Sequence, residues 1–141
     1  YFAALIPIAA PLTVDQSGID KLKSQPMWLI HTKSDATVQP ENSVLPLYKS
    51  LITSGATNKW FSYFETATGT DLPGTEYDGH WAWIYFFHDQ VIGVQHPENT
   101  KNWDGYSGMV ATDPTNGGGS RASVNGQTYN SIFDWMSAQR H

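Results

Sequence analysis

The chain contains no cysteine, which excludes disulfides, thiolate metal sites and thiol nucleophiles together and leaves the compartment open. Positive charge is scarce: eight Lys and Arg, scattered singly, stand against thirteen Asp and Glu for a formal net charge of −5. No basic stripe is present to release counterions from a phosphate backbone, so nucleic acid is not an expected partner. Long apolar runs are missing as well. The longest, YFAALIPIAAP at residues 1–11, is broken by two prolines and falls short of the roughly 20 residues that span a bilayer, so no membrane partner is expected. An initiator Met, a charged leader and a cleavage-site pattern are also lacking, and the chain enters an apolar run almost at once from Tyr1. This is the pattern expected of a piece of a longer polypeptide.

Against those absences, 141 residues with 40% hydrophobic and 13% aromatic content suffice for one domain with a real core. Residues 2–10, FAALIPIAA, form a continuous apolar run suited to a strand buried on both faces. The polar stretch LTVDQSGIDKLKSQ that follows is too short and too interrupted by Gly and Asp for more than a helical turn or two. PMWLIHTKSD repeats the strand signal, with Pro26 at the boundary and Met27 to Ile30 apolar. Val44, Leu47, Tyr48, Leu51 and Ile52 recur at helical spacing, with Pro46 near the first turn and Gly55 as a C-terminal stop. NKWFSYFET reads as a third strand.

Strand, crossover, strand, helix, strand is the grammar of an α/β fold with a parallel sheet and helices on its faces. The spacing predicts adjacent parallel strands near 3–9, 27–31 and 60–64, with helices near 42–54 and 129–139. Chemistry in such sheets gathers at the carboxyl ends of the strands. The loops HTKSDATV and ETATGTDLPGTEYDGHWAW therefore gain weight, and they carry Asp35 and His80. Taken alone, Asp35 equally suits a turn or cap residue and His80 a hydrogen-bonded structural histidine. His31, at a strand end, reads as structural. His80 and His88 share a helical face but lack a third ligand, so no metal or other cofactor is expected. Trp81 and Trp83 read as packing residues, with an acyl or aromatic pocket as the alternative.

The segment PMWLIHTKSDATVQP, with Pro26, Trp28, His31, Asp35, Val38 and Pro40, together with LITSG, GHWAW and the terminal IFDWMSAQR, resembles the C-terminal part of an α/β-hydrolase. The resemblance is to serine esterases and peptidases related to polyhydroxyalkanoate depolymerases and prolyl oligopeptidases. It covers residues 1 to about 88 and 128–141 and departs from the family pattern at Thr32, where glycine is usual. It implies a three-layer αβα fold with about three parallel strands, and a Ser-His-Asp mechanism in which Asp35 is the acid and His80 the base. The family order is Ser, Asp, His, and no G-x-S-x-G occurs in the chain, which places the nucleophile upstream of Tyr1. The function implied is the acid- and base-bearing half of a carboxylic-ester hydrolase acting on a small-molecule or polymeric ester. Extracellular location is expected from the same resemblance.

Residues 91–127 carry a Gly triplet, many turn dipeptides and no sustained periodicity. As an insertion between the His loop and the last helix, they are expected to act as a lid or recognition flap. With its nucleophile strand lacking, the strand at 2–10 would present an open edge. The expected partner there is the N-terminal half of the same protein or a second copy of the chain. A noncatalytic hydrolase-like domain and a carbohydrate-binding module, the latter suggested by six Trp and seven Tyr, are the competing readings.

Overall fold

A computed structural model of the chain describes residues 4–11, 15–68, 75–96, 109–112 and 116–139. At its centre β1 (Met27–Thr32) pairs in parallel with β2 (Lys59–Phe64), Met27 opposite Lys59 and Thr32 opposite Phe64. Every residue of both strands is buried. Side chains alternate across a strand, and here the alternation divides the core. Met27, Leu29, Phe61 and Tyr63 pack with Ile19 of α1 (Gln16–Leu22) and with Val44, Leu47, Tyr48 and Leu51 of α2 (Val44–Thr53). Trp28, Ile30, Trp60 and Phe64 pack instead with Tyr85 of α3 (Trp83–Phe87) and with Ile132 and Trp135 of α4 (Ile132–Ser137). Parallel pairing with helices packed on the strands is not the all-β architecture usual for a carbohydrate-binding module.

Of the three expected strands, the one at 3–9 is only partly formed, and a proline explains why. Leu5 and Ile8 bridge in parallel to Met27 and Ile30. Leu5 N–H donates to the Pro26 carbonyl, Trp28 N–H to Leu5, Ile30 N–H to Pro7 and Ala9 N–H to Ile30. The missing rung belongs to Pro7, which has no N–H to give. The expectation of three parallel strands is corrected accordingly to a two-stranded sheet flanked by two bridges. Helix 42–54 is realised as a 3₁₀ turn at Pro40–Asn42 followed by α2, and helix 129–139 as the shorter α4. Beyond α2, Gly55 takes φ +85°, and its N–H bonds the Ile52 carbonyl, a left-handed stop that favours glycine.

Along the other edge of β2, Gln95 N–H donates to Phe61, Tyr63 N–H to Gly117, Thr112 N–H to Tyr63 and Glu65 N–H to Thr112. Gln95, Thr112 and Gly117 thus line the sheet edge, and the described parts of 91–127 hold only two short strands, β5 (Ser123–Val124) and β6 (Gln127–Thr128). The rest of the segment expected to act as a lid, 97–108 and 113–115, lies outside the described residues. The terminal helix is held by Asn58, whose carboxamide oxygen accepts the indole N–H of both Trp60 and Trp135 at 2.8 and 2.9 Å.

Lys59 is 2% exposed. Its ammonium donates to the carbonyls of Lys23 and Thr57 at 3.1 and 3.0 Å and to that of Gln25. Burial pulls its pKa down to about 8, still above neutrality, so at pH 7 three N–H groups meet three acceptors. Lys59→Met keeps the aliphatic stem and removes those donors. It is expected to cost about 1–3 kcal/mol, read as a lower urea midpoint with unchanged slope. An unchanged midpoint would show that the three carbonyls are satisfied without the lysine.

Candidate active site

Because β1 and β2 are parallel, the loops after Thr32 and Phe64 leave the same sheet edge. The first loop turns at once. Asp35 is 2% exposed, and its Oδ1 accepts the backbone N–H of Thr37 and Val38 at 3.0 and 2.8 Å. This is the turn geometry that Asp favours, and it orients the carboxylate by the chain's own amides. The other oxygen, Oδ2, lies 3.0 Å from His80 Nδ1 across 45 positions of sequence.

The second loop is clipped by β3 (Ala67–Thr68) against β4 (Glu76–Tyr77). Asp78 Oδ1 accepts the His80 backbone N–H at 2.9 Å, and the Asp78 carbonyl accepts the Trp81 N–H, which starts the turn into α3. Gly79 fits closely against the first loop: a Cβ there would lie 2.4 Å from the Ser34 carbonyl carbon and oxygen. Only glycine allows the two loops to approach so near. With Nδ1 facing the carboxylate, Nε2 is the His80 nitrogen left to exchange a proton, on a side chain 30% exposed.

The last two residues of β1 brace this pair from opposite faces of the sheet. His31 is fully buried. Its Nε2 lies 2.7 Å from the Val38 carbonyl, which can only accept, so this nitrogen carries the proton; it also lies 3.3 Å from Asp35 Oδ2. Nδ1 has no hydrogen-bond partner, and His31 lines a small cavity together with Pro7, Ala10, Leu29, Val44 and Leu47. Burial accordingly holds its pKa below the ordinary value of 6.5, outweighing the opposing pull of the Val38 carbonyl and Asp35. The structural role expected of His31 agrees with these contacts. Thr32, also fully buried, donates its hydroxyl to the carbonyl of Gly79, the residue before His80. In the sequence Thr32 stands out only as a departure from glycine, and nothing local shows a contact 47 positions away.

His88 stays apart from this group, its Nδ1 2.7 Å from the Ile84 carbonyl in the preceding turn. Among the described residues, no three His, Asp or Glu side chains are arranged to hold a metal ion. Asp35 itself is filled by two amides on one oxygen and two imidazoles near the other. No helix among the described residues is long and apolar enough to cross a membrane.

The chain is similar in structure to a thermostable esterase, with 29% sequence identity and a TM-score of 0.50. The match covers 63% of this chain and 22% of the esterase, so the matched part spans about a fifth of that protein's length. This supports an esterase-like fold of the α/β-hydrolase kind. No protein-family model and no curated protein matches the chain.

Two consequences are measurable. Thr32→Val preserves shape but strands the buried Gly79 carbonyl, an expected loss of about 1–3 kcal/mol, whereas Thr32→Ser retains most of the stability; equal stability of Val and Ser variants would remove the tether. For His31, the folded chain binds its proton more weakly than the unfolded chain. The stability tied to neutral His31 is therefore present above pH 6.5 and is lost as pH falls below that value toward the lower folded pKa. His31→Gln should flatten that fall in denaturation midpoints measured across this window, and an identical slope would contradict the assignment.

Proposed function

We propose that this chain is the acid- and base-bearing part of a serine carboxylic-ester hydrolase, in the three-layer αβα arrangement of an α/β-hydrolase. The observation that carries the reading is the 3.0 Å contact between Asp35 Oδ2 and His80 Nδ1, at the end of a parallel sheet. A seryl hydroxyl is a poor nucleophile until a neutral imidazole takes its proton. The imidazole in turn needs a carboxylate on its other nitrogen, to hold the tautomer and balance the imidazolium that forms. Asp35, held by two backbone amides, serves as that carboxylate, and His80 Nε2 as the base.

In this reading the serine lies N-terminal to Tyr1, on a segment that also supplies oxyanion donors. The substrate is a small-molecule or polymeric ester. The upstream half of the same protein docks along residues 5–9, whose side away from β1 pairs with no described strand. Beside this segment an apolar groove of about 550 Å³ is lined by Leu5, Ile6 and Pro7, by Leu22 of α1 and by Met27 of β1. Similarity to an esterase of which the matched part makes up only 22% supports the same division of labour.

The test is hydrolysis of short-chain aryl esters by the full-length protein. Asp35→Asn and His80→Ala are each expected to lower kcat on the order of 10³- to 10⁴-fold, and the 141-residue chain alone is expected to be inert. Full activity in the His80→Ala enzyme, or turnover by the isolated chain at the full-length rate, would overturn the proposal.

A further inference from the structure

The loop that carries His80 also carries a row of aromatic rings that neither side of the core uses. Tyr77, at the end of β4, and Trp81 lie with ring centroids 5.5 Å apart and planes inclined by 22°. Trp81 and Trp83 follow at 6.2 Å and 28°. Trp83 then meets the His80 imidazole edge-on, at 5.6 Å and 88°. The row ends on the base.

Packing does not account for these rings. Trp81 is 43% exposed, Tyr77 and Trp83 are half-buried, and none of the three joins either buried cluster around the sheet. Elsewhere in the chain the indoles of Trp28, Trp60 and Trp135 each donate to a side chain. Aromatic rings left open to solvent side by side, rather than singly, are a candidate binding surface. Near-parallel, offset rings are the arrangement to which another flat ring adds by stacking, whereas a saturated chain or ring gains only apolar contact.

We propose that Tyr77, Trp81 and Trp83 form a strip that binds a planar aromatic group of the substrate and so selects aromatic esters. The inference rests on the catalytic reading of Asp35 and His80, and it specifies the substrate class of that site. A ring stacked on the strip places the ester attached to it beside His80. The shared chemistry is the flat ring, which belongs either to the acyl or to the alcohol portion.

The experiment compares kcat/KM of the full-length protein on two matched pairs. Methyl phenylacetate against methyl cyclohexylacetate reports a ring in the acyl portion, and benzyl acetate against cyclohexylmethyl acetate a ring in the alcohol portion. The aromatic member of at least one pair is expected to be preferred, and Trp81→Leu is expected to lower that aromatic-to-saturated ratio roughly three- to tenfold, mainly through KM. Trp81→Phe, which keeps a flat ring, should restore most of the ratio. A ratio near one in both pairs, or a ratio unmoved by Trp81→Leu while esters are still turned over, overturns the strip and leaves the hydrolase reading standing. Quenching of tryptophan emission by benzyl alcohol or phenylacetate reads the strip without catalysis. Quenching that Trp81→Leu removes, in a protein that turns over none of the four esters, would support the strip and sink the hydrolase reading. No quenching and no turnover would overturn both.

Discussion

Because Met27–Thr32 runs parallel to Lys59–Phe64, both strands end at one edge and both following loops begin there. An antiparallel pairing would have sent Asp35 and His80 to opposite ends of the sheet. The pairing itself rests on burial of both strand faces, with aromatic and aliphatic side chains alternating between two helix-backed clusters. Burial on both faces in turn demands that polar groups inside be paired. Trp28 Nε1 donates to Ser62 Oγ at 2.8 Å, Ser62 donates on to the Gly93 carbonyl at 2.6 Å, and Lys59 meets three carbonyls.

The same alternation explains how the site is held. His31 and Thr32 are neighbours in sequence and point to opposite faces. One reaches the turn of Asp35, the other the residue before His80. The strand end thus grips each loop from one side, and the carboxylate to imidazole contact closes between them. A neutral His31 suits this arrangement. Protonation of its unpartnered Nδ1 would bury a charged N–H with no acceptor.

Much of this frame was legible in the sequence because it rests on short-range signals. The apolar runs at 27–30 and 60–64, the helical spacing of Val44 to Ile52, and Gly55 as a stop each correspond to observed elements. Asp35 and His80 stood out through their place after strands and within patterned loops, and the fold brings those loops together. What could not be read was long-range or subtractive. Pro7 breaks the first strand by withholding a single hydrogen bond. Lysine is a residue type seldom fully buried, yet Lys59 is. The Thr32 contact with Gly79 and the ring row through Tyr77, Trp81 and Trp83 exist only once the loops are folded against each other. The pairing of Gln95, Thr112 and Gly117 with β2 involves residues with no strand periodicity at all.

The claim at the centre of this account is that Asp35 and His80 serve a serine outside residues 1–141. The most direct measurement is labelling of the full-length protein with a fluorophosphonate, followed by peptide mapping of the adduct. A single adduct is expected on a serine N-terminal to Tyr1, formed on the order of 10³-fold more slowly in the His80→Ala protein. An adduct on a serine within residues 1–141, or labelling at an undiminished rate without His80, would contradict it.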